Sequence, residues 1–166
     1  MNPREQPDIL RRIVRNLLES INTPNIMERE ELLRLIQTIP QVTEGVSLAA
    51  PIMNMEITRR LSATLVAKDR YFEHSQTILG STISETASII NLLSNVLPSL
   101  DIDLSSRVIQ SLFNILKLSI DLRRKLTLVR KESASQDFDN RTKGILRHAD
   151  TSTFLFGDLS NLAWRN

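Results

Sequence analysis

Two pairs of carboxylates, two histidines and a run of cations are the residues of this 166-residue chain whose types and spacing could do chemistry. Asp101 with Asp103, and Asp137 with Asp139, stand two apart, which is how a calcium loop opens. That loop also needs an oxygen ligand at its fifth position, glycine at its sixth and glutamate at its twelfth. Counted from Asp137 those places hold Arg141, Thr142 and His148; counted from Asp101 they hold Ser105, Ser106 and Leu112. Neither stretch meets the requirement, so the acids read as helix caps and solvated loop residues. His74, beside Glu73 and followed by Glu85, has the parts of a general base with a carboxylate to orient it. His148 lies near Asp150. Two histidines so far apart, in a chain without cysteine, make a poor zinc set, and both read as surface or interface side chains.

The signatures that cradle phosphate or carry hydrolytic chemistry are missing: G-x-x-x-x-G-K-[ST], G-x-G-x-x-G, H-E-x-x-H and G-x-S-x-G. The four glycines, Gly45, Gly80, Gly144 and Gly157, are too scattered to build an anion loop. The expectation is a chain that is not an enzyme, with no catalytic set, no metal and no cofactor.

Charge is more informative. The formal net charge is +2, yet between Arg107 and Arg147 ten basic residues face four acidic ones. Lys117, Arg123, Arg124, Lys125, Arg130, Lys131, Arg141 and Lys143 are therefore candidate contacts for phosphate or for an acidic partner, with affinity that falls as salt rises. The competing reading is a solvated helix face. Base-stacking aromatics are not interleaved with these cations, and arginine outnumbers lysine 16 to 5, which suits carboxylates as well as phosphates.

A third feature is apolar. Phe154, Leu155, Phe156, Leu159, Leu162 and Trp164 cluster at the C-terminus. Such a cluster can fold back on its own body, dock into a partner or anchor at a membrane surface. It is put forward here as a partner-binding arm, since aromatic side chains bury much area on few rotors. Truncation after Asp150 is then expected to impair assembly more than stability.

The elements that would position these groups are helices. Leu, Ile, Val and Phe make up 54 of 166 residues, enough for a packed core, and Leu with Ile far outnumber Val. Ile9, Leu10, Ile13, Val14, Leu17, Leu18 and Ile21 recur at three and four spacing after Asp8, a helix to about Asn22. Asn25 with Glu28 suggests the cap of a second helix ending at Thr38 before Pro40, packed antiparallel on the first. Residues 40–51 read as a loop. A long helical stretch from Ile52 to Leu97, with a break or kink at Gly80, carries a heptad line through Leu65, Asp69, Phe72, Gln76, Leu79, Ile83, Thr86, Ile90, Leu93 and Leu97. A second apolar line runs through Ile78, Ile89, Leu92 and Val96. After Pro98, Asp101 or Asp103 caps a helix from Leu104 to Lys131, and residues 132–144 form a polar loop. A turn or two of helix is expected from Asp158 onward.

The fold class is therefore all-α, an irregular helical bundle of four or five main helices over residues 1–131, with a polar loop and aromatic C-terminal arm over 132–166. The expected function is that of a non-enzymatic structural or assembly protein acting through protein–protein contacts, as a subunit or accessory component of a viral or other multi-subunit particle. The alternative is a nucleic-acid-binding protein using residues 107–147, and a third option is a bundle enzyme built on His74. The polar N-terminus and the Ser, Thr and Asn content of residues 74–100 speak against a signal peptide or a membrane span, so a soluble, intracellular or particle-associated chain is expected.

Overall fold

The computed structural model describes residues 6–19, 28–39, 42–43, 46–96 and 102–159. The fold is all-α, and its contacts divide the chain into two units, 1–38 and 39–166.

The first unit holds α1 (Gln6–Glu19) and α2 (Arg29–Thr38). Helix α1 begins two residues before Asp8, so Asp8 lies within its first turn and is not its cap. Pro7 is tolerated there because its missing N–H would have had no intrahelical acceptor. Glu30 and Glu31 occupy the first turn of α2, and the Thr38 hydroxyl closes its last turn by donating to the Leu35 carbonyl at 2.7 Å. Ile13, Val14, Leu17, Leu18, Leu33 and Leu35 are exposed, while Leu32, Ile36 and Ile39 are half-buried, so the expected packing covers the stripes only in part. Asn25 and Ile21 lie outside the described residues.

The second unit opens with a small hairpin where a plain loop was expected. Strands β1 (Val42–Thr43) and β2 (Val46–Ser47) run antiparallel, Val42 opposite Ser47 and Thr43 opposite Val46. Three of these four side chains are β-branched, which suits a pleated ribbon. A single-turn helix α3 (Met55–Thr58) follows, and then the long α4 (Ala63–Val96). The interruption expected at Gly80 lies instead between α3 and α4. Ser62 starts α4 afresh: its hydroxyl accepts from Leu65 N at 3.3 Å and its carbonyl from Val66 N at 3.1 Å. Helix α4 passes unbroken through Gly80, which has another task. A Cβ there would collide with the carbonyl oxygen of Leu48, so glycine is what lets the post-hairpin loop lie against the helix.

Helix α5 (Ile102–Ser135) returns antiparallel to α4; both are 34 residues, about 50 Å long. The heptad line read from the sequence is the buried one: every described member from Leu65 to Leu93 is buried or half-buried. Helix α5 answers with Ser105, Ile109, Leu112, Leu116, Ser119, Arg123, Leu126 and Arg130, spaced by alternating fours and threes and likewise buried or half-buried.

The polar loop expected over residues 132–144 shrinks to 136–139. Helix α5 runs four residues past Lys131, and α6 (Asn140–His148) begins directly afterwards. Asp139 is the reason, since its carboxylate accepts from Arg141 N at 2.9 Å and Thr142 N at 3.1 Å. Hydrogen bonds from Thr142 hold that carboxyl below its ordinary pKa. A boundary between residues 131 and 132 would thus cut α5.

The core sits where α3, the end of α5, α6 and the C-terminal segment meet. Ile57, Ala134, Phe138, Leu146, Leu155, Phe156 and Leu159 form one buried cluster. Each large aliphatic there contributes about 1.5–3 kcal/mol by leaving water. The C-terminal arm is therefore folded back on its own chain. Leu155, Phe156 and Leu159, expected to bind a partner, are buried inside; Phe154 is 43% exposed. Leu162 and Trp164 lie outside the described residues. The segment is tied down by backbone bonds, Ile52 N to Thr153 O at 2.9 Å and Leu155 N to Ile52 O at 2.8 Å. Asn54 clasps it from the side, donating to Gly157 O at 2.9 Å and accepting from Phe156 N at 3.1 Å. Gly157 turns the chain with φ of 62°, a conformation that disfavours a side chain. Asp158 and Leu159 are not helical, contrary to expectation. Among the described residues no helix is long and apolar enough to cross a membrane.

Candidate functional site

The basic region divides into cations that the fold consumes and cations that it leaves outside. Arg130 is the most completely consumed. Its side chain is fully enclosed, and its guanidinium meets Asp69 with two bonds, Nε to Oδ1 at 2.7 Å and Nη2 to Oδ2 at 3.0 Å. Nη1 donates to Gln76 Oε1 at 2.6 Å and to Pro51 O at 2.8 Å, and Glu73 adds a looser contact at 3.8 Å. Gln76 is itself fully buried, donating through Nε2 to Thr127 Oγ1 at 2.7 Å and to Arg123 O at 3.1 Å. This knot sits on the heptad seam and fixes the register of α4 against α5, because one helical turn of slip would strand a buried charge.

Arg123 is half-buried. It donates from Nη1 to Gln76 O at 2.7 Å and from Nη2 to Ala49 O at 2.6 Å. Burial, and then the neighbouring Arg130, push its pKa below the ordinary value. Lys131 is buried too: its ammonium donates to Ala149 O and stands 5.8 Å from the centre of the Phe156 ring. Burial lowers the Lys131 pKa, with Asp150 opposing. Arg130 and Lys131, expected to meet phosphate or an acidic partner, are instead fastened to the chain's own carboxylates and backbone, while Arg123 is held by two backbone carbonyls and still lines a cavity. The reason is that α5 packs on α4 along one side, while the folded-back C-terminus covers Lys131.

Lys117, Arg124, Lys125 and Arg141 remain exposed and Lys143 is half-buried. Lys125 is paired along the helix with Asp121 at 2.7 Å. Lys143 and Arg147, one turn apart on α6, look onto a groove of about 480 Å³ whose other wall is α5 from Leu128 to Ser135. Arg147 was not singled out by spacing; its place one turn after Lys143 is the signal that would have found it. His74 and His148 are exposed, and no group of three or more His, Cys, Asp or Glu residues that could hold a metal occurs among the described residues.

The other prominent surface is apolar. Leu104, Val108, Ser111, Ile115, Leu118, Leu122, Lys125 and Val129 follow the same four-and-three spacing on a different side of α5, and all eight are exposed. Leu118 is 71% exposed. Of the second apolar line expected on α4, Ile89 and Leu92 are exposed and Ile78 is half-buried; Val96 has no described side chain.

In comparisons with known proteins, residues 10–158 match the family described as a domain of unknown function, DUF8747. No curated protein and no solved structure matches the chain.

Proposed function

The chain belongs to the DUF8747 family, and we propose that it is a non-enzymatic assembly protein, a helical subunit or accessory component of a multi-subunit particle, viral or other, that works by pairing with a second copy of itself. The observation that carries this reading is the exposed seam of α5. A single helix that presents apolar residues at heptad spacing on two sides asks for two neighbours, and α4 is one of them. The seam is also self-complementary. Its alternating spacing reads the same in both directions, so an antiparallel second α5 would set Ile115 against Leu118, Leu104 against Val129, Ser111 against Leu122, and Val108 against the alkyl stem of Lys125. That is the arrangement a two-fold contact requires.

Sedimentation equilibrium tests it. The chain is expected to sediment as a dimer or larger closed assembly, and Leu118→Glu as a monomer with little change in melting, while Lys117→Glu beside the seam changes neither. The chain has no cysteine, so I115C/L118C should oxidise to a covalent dimer. A wild-type monomer at every attainable concentration would overturn the reading. The alternative, binding of nucleic acid by residues 107–147, has lost Arg130 and Lys131 to the interior. It predicts filter binding that falls steeply with salt.

A further inference from the structure

A cavity of about 410 Å³ opens between the segment after β2, the middle of α5 and the turn at residues 151–153. Its lining carries one charge, the guanidinium of Arg123, no carboxylate, and the hydroxyl residues Ser47, Thr127, Thr151, Ser152 and Thr153. Arg123 is held from behind by the carbonyls of Gln76 and Ala49. Those dipoles fix the guanidinium without neutralising it, and three of its five N–H groups remain over. Asp69, the carboxylate that lies between the two helices, is taken by Arg130. Arg123 is thus a partly desolvated cation beside a like charge, with no ion-pair partner among the described residues. The Thr127 and Thr151 hydroxyls spend their hydrogens on Arg123 O at 3.2 Å and Leu155 O at 3.1 Å. Those of Ser47, Ser152 and Thr153 make no hydrogen bond among the described residues.

We propose that this cavity binds a small tetrahedral oxyanion, a phosphate or the phosphoryl group of a phosphomonoester. Arg123 supplies the charge, and the hydroxyls of Ser47, Ser152 and Thr153 donate to the oxygens. An anion there supplies the counter-charge that the fold itself omits, and several donor groups lining one cavity favour an ion with several acceptor oxygens over chloride.

The test is a phosphorus NMR titration of the full chain with inorganic phosphate and, separately, phenyl phosphate, at ionic strength held constant with sodium chloride. Saturable broadening is expected for the wild type. In S152A/T153V, which keeps the backbone bond from Ile52 to Thr153, binding should weaken by about tenfold. In K143Q/R147Q, on the other groove, it should be unchanged. Arg123→Gln should abolish it, but that variant also frees the segment at Ala49, so the hydroxyl variant decides. Tighter binding of phenyl phosphate would assign the ester; equal binding would assign free phosphate. Absence of saturation, equal affinity in S152A/T153V, or loss in K143Q/R147Q would each overturn the proposal. Seam variants such as Leu118→Glu should leave it intact, so this site and the pairing surface stand or fall separately.

Discussion

Arg130 reaches across from α5 to Asp69 on α4 as a two-pronged pair at 2.7 and 3.0 Å, with the arginine side chain wholly shielded from water. An ion pair so placed is weak evidence for net stabilisation, since both partners gave up hydration. Removing one partner is another matter. Arg130→Met leaves Asp69, the Pro51 carbonyl and Gln76 Oε1 unsatisfied, and should lower the unfolding free energy by about 3–5 kcal/mol. The double variant D69L/R130M should recover much of that in urea titrations at neutral pH. A single variant as stable as wild type would show that the knot contributes nothing.

Gly80→Ala should destabilise the protein even though alanine is the better helix former by about 1 kcal/mol. The added methyl meets the Leu48 carbonyl oxygen and crowds Arg123 Nη1 at 3.2 Å. A net loss of about 1–3 kcal/mol is expected from the forced shift of backbone, read from thermal melts. A rise in melting temperature would mean the loop yields freely.

The pH dependence of α6 follows from Asp139. Its folded pKa lies below the ordinary value of 3.8, because the ionised carboxylate accepts from Thr142 and Arg141. Its contribution is fully present above that ordinary value and is lost as pH falls through the lower folded one. Asp139→Ala should therefore melt earlier than wild type at neutral pH, by a margin that closes in strong acid. A margin that persists undiminished in acid would contradict the cap.

Truncation after Asp150 should collapse the melting temperature, reversing the expectation drawn from the sequence. It removes Leu155, Phe156 and Leu159, all buried. Phe156→Ala alone should cost about 3–5 kcal/mol. Circular dichroism melts of the two variants check this, and unchanged melting would place the arm outside the core.

The long helices were legible because period is a strong signal. Leu65 to Leu93 announces its buried side whatever lies opposite. Its two polar members, Asp69 and Gln76, are the anchor of the interface. Seeing this requires the register that brings Arg130 across from Asp69, and no local pattern encodes that register. Helix α6 stayed hidden because only Leu146 of its residues is buried and the rest are polar or exposed, so composition argued for a loop. The cap residue Asp139 was the available clue. In the candidate sites, the local excess of charge grouped Lys131 with Lys117 and Arg124, yet the fold draws Lys131 against Phe156. That cover comes from a segment far along the chain. The hydroxyl-lined cavity at Arg123 joins three distant stretches, and only Arg123, one of the run of cations, marked it in the sequence.

The clasp of Asn54 on Phe156 and Gly157 joins stretches about a hundred positions apart. During synthesis, the two long helices can zip together while the ribosome is still at work, but Ile57 and Leu146 wait for Leu155, Phe156 and Leu159 to emerge. A stalled or nicked chain therefore displays the greasy underside of its base, the state that chaperones and proteases recognise.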